Sequence, residues 1–200
     1  RLCRDWSSDV CSSDLLARQG RLEVEIATGC EPTEELLKEA FAVEAASWKG
    51  EKGSAILSSP ITYDFYTNVA RWAAGLGMLR LFFLRVNGRP IAMVYALEDG
   101  DTCYLLKGGY DPAYRRHSPG TLLLHAVVSH CFAAGLSRIE FHGGAQPYKL
   151  LWTNSVHEQT RFEAFQPTSA GWLRWATLAY IRPAAKHMLS RFCFDAHAQG

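Results

Sequence analysis

The chain has 200 residues, 48% apolar and 20% charged, with a formal net charge of +1. That composition supplies a full hydrophobic core for one domain. It carries no charge run of the nucleic-acid-binding kind, no window near the roughly 18 apolar residues that span a bilayer, and no CxxC pairing or zinc-ligand spacing, so no metal is expected.

Taken in chain order, Asp5–Leu15 has neither helical nor strand periodicity and resembles a translated DNA-sequencing adapter. Residues 1–15 are therefore expected to be a non-native scar, with the protein's own sequence starting near Leu16 and whatever preceded it lost. Residues 5–15 hold three acids and no base, so leaving them out moves the charge from +1 to +4, which is only mildly basic. Arg21 to Ala27 alternates, with Leu22, Val24 and Ile26 on one face, and reads as a half-exposed strand. Thr33 caps a helix with Glu34 and Glu35 in its first turn and Leu36, Leu37, Ala40 and Phe41 as its buried stripe. Trp48 to Ser54 is a loop. Ser59-Pro60 opens a second helix, with Ile61, Phe65, Val69 and Trp72 expected inward and Gly75 and Gly77 as its stop.

Three strands follow. Leu79 to Val86 turns through Asn87-Gly88, a strong hairpin signal, into Arg89 to Leu97. Asp99-Gly100 turns again into Thr102 to Lys107. Gly108-Gly109 is expected to end that strand with a bulge or splay. The helix-like run Thr121 to Ala134 comes after Asp111-Pro112-Ala113-Tyr114-Arg115-Arg116-His117-Ser118-Pro119-Gly120-Thr121. A strand that becomes a helix through small and basic residues is a place to hold phosphate, because the first helical N–H groups lack chain partners and the dipole makes that end positive. Pro119 suits the first turn, Gly120 has no side chain to keep an anion away, and Arg115 and Arg116 add positive charge. The segment reads as a pyrophosphate cradle for a coenzyme. Beyond it lie a short strand (Arg138 to His142), a short helix (Gln146 to Thr153), a last strand (Glu158 to Phe165) and a helical tail (Gly171 to Phe192) broken at Pro183. The order βααβββαβαβ plus a C-terminal helix predicts an α+β domain with a mixed central sheet and flanking helices over residues 20–168, then a tail over 169–200.

This order and turn resemble the GNAT acyltransferase superfamily, whose coenzyme A motif runs hydrophobic-x-Pro-x-Tyr-Arg-x-x-Gly-x-Gly between a strand and a helix. Tyr110, Pro112, Tyr114, Arg115, Ser118 and Gly120 fall on those positions, with Ser118 where glycine is usual. A closer resemblance is to the CelD-like acetyltransferase branch of cellulose- and polysaccharide-associated proteins, related to the Fem-type aminoacyl transferases. It rests on Trp48-Lys49-Gly50 with Gly53-Ser54, Tyr110-Asp111, Ser118-Pro119-Gly120, and Tyr148-Lys149 with Trp152, and covers about Leu22 to Phe165. Members often carry an acidic pair where this chain has Ala145-Gln146. The branch usually has two such domains in tandem, so the resemblance implies a missing N-terminal GNAT-like partner domain.

The chemistry expected is direct acyl transfer to an amine without a covalent enzyme intermediate. An acyl-CoA thioester would lie along the strand ending at Gly109, with its pyrophosphate on the N–H groups of residues 116 to 121. Cofactor contacts are assigned to Gly109, Tyr110, Arg115, Arg116, His117, Ser118, Pro119, Gly120 and Thr121. A backbone N–H near Gly108 to Tyr110 would polarise the thioester carbonyl. His142, at a strand end beside the cradle helix, is either the general base or a structural histidine. Tyr148 is either a core aromatic or, as the superfamily resemblance implies, the group that returns a proton to the leaving thiolate. Lys149 is either a ligand for a carboxylate or phosphate of substrate or coenzyme, or a solvated helix lysine. Trp48, Lys49 and Ser54 are assigned to the acceptor wall, and Asp111 is either a turn former or a ligand for the incoming amine. The acceptor expected is an amine of a small molecule or of an envelope sugar, in the cytoplasm or at the inner face of the membrane, with no nucleic acid and no membrane anchoring. The alternatives are a Fem-like transferase using aminoacyl-tRNA and a non-catalytic binding domain of the same fold.

Overall fold

The computed structural model describes residues 15–28, 34–47, 53, 55–158, 160 and 163–181. The chain divides into two compact units at Asn154/Ser155. The first holds one five-stranded sheet in the order β1-β2-β3-β4-β5. Its strands are β1 (Leu22–Ala27), β2 (Leu79–Val86), β3 (Arg89–Asp99), β4 (Thr102–Tyr110) and β5 (Arg138–Glu140). The first four pair antiparallel in sequence order, and β5 joins β4 parallel. The helices of this unit are α1 (Glu34–Ala46), α2 (Pro60–Gly75), α3 (Pro119–Ala133) and α4 (Pro147–Leu150), with 3-10 turns at Ile56–Ser58 and Pro112–His117.

β2 shows why the sheet lies between helix layers. It is apolar at nearly every position, so alternate side chains supply both faces. Leu81 and Phe83 enter a core with Leu37, Ala40 and Phe41 of α1 and Ala70, Ala73 and Ala74 of α2. Phe82 and Leu84 enter a second core with Leu123, Leu124 and Val127 of α3. Leu16, just before β1, is fully buried in that second core.

Three expectations are corrected. The inward face of α2 is turned from the one expected: Ile61, Phe65 and Trp72 are exposed at 82%, 58% and 58%, while Thr67, Ala70, Ala73 and Ala74 are buried. Small residues let α2 lie close to α1 and the sheet, which decides the face against the larger side chains. Gly108-Gly109 does not end β4. The strand runs on to Tyr110, and the bulge falls earlier, at Leu106, between the pairs Tyr95↔Lys107 and Ala96↔Leu105. The expected strand at Glu158–Phe165 is absent among the described residues, whose backbone there is irregular.

The shorter elements match in kind and differ in extent. β5 stops at Glu140 and α4 covers Pro147–Leu150. The second unit carries α5 (Ser169–Ala176), capped by Thr168 Oγ1 accepting from Gly171 N–H at 3.1 Å, and a π turn at Thr177–Ile181. Among the described residues no helix is long and apolar enough to cross a membrane.

Candidate functional site

The site begins where β4 and β5 part. Their pairing ends at Tyr104↔Glu140, while β4 continues from Leu105 to Tyr110 with β3 on its other side. The bulge at Leu106 bends the strand at that point. Two close approaches hold the free half in place. A Cβ on Gly109 would lie 2.8 Å from Glu44 Cα, so only glycine lets α1 press on the strand here, and a Cβ on Gly120 would lie 3.3 Å from the Tyr110 ring. Gly120 thus lets the end of β4 pack against the start of α3.

The turn between them is built by Asp111. Its Oδ1 accepts from Ala113 N–H at 2.9 Å and its Oδ2 meets Arg89 Nη2 at 2.8 Å. Each oxygen has one partner, so Asp111 shapes the turn. Arg115 and Arg116 are exposed on the 3-10 turn. Ser118 adopts the left-handed conformation, φ 47° and ψ 47°, between the turn and α3.

The expected row of free amides is narrower than the sequence suggested. Ser118 N–H donates to Arg115 C=O at 3.2 Å, and Thr121 and Leu122 N–H both donate to Ser118 C=O, at 3.0 and 3.1 Å. Pro119 has no N–H. The positive pole of the helix dipole lies at the Gly120 end of α3, ahead of the first intrahelical bonds and beside the two arginines. His117 is engaged within the chain. Its Nε2 lies 2.8 Å from Gln19 Nε2, which ties the turn to the segment before β1, and its Nδ1 is buried.

A cleft of about 320 Å³ opens beside the free half of β4, lined by Phe65, Tyr66, Val69, Leu106 and His142. His142 is left-handed, φ 43°, and its ring stacks on Tyr104 with centroids 5.7 Å apart. The left-handed backbone of His142 and Gly143 turns the loop back, and Lys149 fastens it. Lys149 is only 8% exposed; its Nζ donates to His142 C=O, and to Gly144 C=O at 3.1 Å. Burial pushes its pKa down. The ammonium thus ties the His142–Gly144 loop to the short helix at Pro147–Leu150. Tyr148, next to it, is 53% exposed, and partial burial raises its phenol pKa, which keeps it protonated at neutral pH. Trp48, Lys49 and Ser54 lie outside the described residues.

The sequence reading missed Tyr66 and Leu106 as cleft residues, and with them Glu44 and Lys107 behind the cleft. Glu44 carried a signal: an acid at the i+3 and i+4 positions from Phe41 and Ala40, on the apolar stripe of α1.

A family model described as acetyltransferase (GNAT) domain matches residues 12–150. Among solved structures, the chain resembles a possible acetyltransferase from Clostridium difficile 630, with TM-score 0.53, 15% identity, and 72% of this chain and 99% of that one covered. It resembles aminoglycoside acetyltransferase AAC(6')-Iy in complex with a CoA bisubstrate analogue, with TM-score 0.51, 11% identity, and coverage of 72% and 99%. A transcriptional regulator from Bacillus halodurans C-125 gives TM-score 0.51 at 16% identity, with coverage of 71% and 100%. At such identities these likenesses establish the fold. No curated protein matches the sequence.

Proposed function

The chain belongs to the acetyltransferase (GNAT) domain family, and on that premise we propose that it is an N-acyltransferase moving an acetyl group from acetyl-CoA to an amine by direct attack. The observation that carries this reading is the junction just described: a strand edge left free beyond Tyr104, running into the positive end of α3, with the cleft alongside. When bound, the thioester supplies an activated acetyl group and a thiolate leaving group. The chain's own residues do the rest. Arg115, Arg116 and the Gly120 end of α3 hold the diphosphate. A backbone N–H of the free half of β4 polarises the thioester carbonyl. His142, held at the cleft by Lys149, takes the proton from the amine. Tyr148, protonated at neutral pH, returns a proton to the thiolate. The acceptor class is an amine on a small molecule or an envelope sugar. Residues 20–168 form the acyltransferase domain, with a second domain of the same kind upstream in the full protein.

A second reading, a non-catalytic domain of the same fold, is favoured by one observation: the Ser118 and Thr121 N–H groups are spent inside the turn. Isothermal titration with acetyl-CoA separates the two. Binding by the wild type, abolished in the Arg115→Ala, Gly120→Asp double variant, is the expected result. Silence in the wild type selects the non-catalytic reading, and equal affinity in the double variant removes the turn from the site.

A further inference from the structure

Glu44 of α1 is fully buried, although a lone carboxylate in such a place costs several kcal/mol. Its environment shows how it is held and what it holds. Oε2 accepts from Ile56 N–H at 2.9 Å, which ties α1 to the 3-10 turn before α2. Oε1 faces Lys107 Nζ at 3.7 Å, across to β4. Lys107, in turn, places its ammonium 5.2 Å from the centroid of the Tyr66 ring, close enough for a cation–π attraction that is stronger out of water. Tyr66 lines the cleft, and so does Leu106, one residue before Lys107 and the bulged residue of β4. The same Tyr66 ring meets Phe65 and Tyr95 edge-on, at 5.2 and 5.9 Å. One buried charge pair therefore joins α1, α2 and the free half of β4 at the back of the cleft.

We propose that Glu44 and Lys107 are a positioning pair for the cleft: Glu44 pins Lys107 against the Tyr66 ring, and so fixes the aromatic wall and the bulged Leu106 that the acceptor meets. The inference rests on the acyltransferase reading for its kinetic consequence, but its structural core does not. A pair that served stability alone would be replaceable by neutral residues of the same shape with no local change at Tyr66. A positioning pair is not.

The test uses the full chain labelled with 3-fluorotyrosine, with the Tyr66 fluorine resonance assigned through Tyr66→Phe. Lys107→Met and Glu44→Gln should each move that resonance while the other tyrosine signals stay. The Glu44→Gln, Lys107→Met double variant should move it no further than Lys107→Met alone, because both act through one contact. Lys107→Arg, which keeps a cation over the ring, should restore it. Should a single variant fail to fold for want of its partner, the neutral double variant still decides. A Tyr66 signal at the wild-type position in Lys107→Met or in the double variant overturns the proposal, as does a uniform shift of all tyrosines. A second arm measures CoA release at saturating acetyl-CoA with D-glucosamine and n-propylamine as acceptor probes. Lys107→Met should raise the acceptor KM about tenfold with kcat within about twofold, the pattern of lost acceptor binding, and an unchanged KM overturns the kinetic role. If the wild type turns over neither probe, the acyltransferase reading is what suffers, and the fluorine result still decides the positioning pair.

Discussion

The two halves of β4 share one partner and differ in the other. From Thr102 to Tyr104 the strand sits between β3 and β5, and Thr102 and Cys103 are buried. From Leu105 to Tyr110 it keeps β3, has no β5 beside it, and stays half-buried throughout. The first half is closed by a sheet. The second is held from one face by α1, which reaches the backbone at Gly109, and at its end by α3, which meets Tyr110 at Gly120. A strand edge can thus stay open to a ligand without fraying, provided other elements clamp it. The bulge at Leu106 marks the change from one regime to the other.

The sharpest way to break this comparison is at Gly109. Gly109→Val drives a side chain into the α1 backbone at Glu44, and should cost about 2–3 kcal/mol in urea unfolding, the scale of overpacking a fixed site. Gly108→Ala is the control: its Cβ would meet only Met93 O at 3.4 Å and Val94 Cγ2 at 3.6 Å, so it should cost under about 1 kcal/mol. Equal losses would mean that α1 does not clamp the open half.

Lys149→Met comes next. It strips the donor from the His142 and Gly144 carbonyls, and should cost about 1–2 kcal/mol, as expected for acceptors left unpaired in a part-buried loop. The pH dependence has a definite sign. Burial lowers the folded-state pKa of Lys149 below its ordinary 10.5, so over that window the unfolded chain holds the proton longer and stability rises with pH. Below the window the burial penalty is fully present and flat. Parallel urea melts should therefore show wild-type stability gaining on Lys149→Met as pH climbs toward 10.5; a gap that stays constant across that range would place the ammonium in solvent. The smallest effect is at the cradle. Ser118→Gly relieves a left-handed serine, worth about 1–2 kcal/mol, against the extra flexibility of glycine in the unfolded chain, about 0.5–1 kcal/mol. A net gain of about 0.5 kcal/mol should appear in the same melts. A loss would show that the serine side chain contributes to the turn.

Much of this was legible before any coordinates. Alternation in Arg21–Ala27 and the Asn87-Gly88 turn report local geometry, and both elements formed where they were read. The bare backbone of Gly120 is legible as room for an anion, but the Tyr110 ring that its missing Cβ would meet is not. Lys149 looked like a solvated lysine or a substrate ligand, because nothing along the chain tells that two carbonyls five and seven residues back will converge on it. The exposed faces of Ile61, Phe65 and Trp72 were misread because helical spacing defines two apolar stripes on α2, and the small residues won the core.

The residues by themselves determined the order of elements from β1 to the short helix at Pro147–Leu150, the hairpin turns, the Pro119 start of the helix and the basic turn ahead of it, since each depends on backbone preferences within a few positions. Tertiary structure decided what is open and what is spent: where β4 leaves β5, which amides of the turn bond inward, and which charge sits in the dark behind Tyr66. Those are outcomes of competition for partners across the whole fold, and a competition among distant groups leaves no trace in the spacing of near ones.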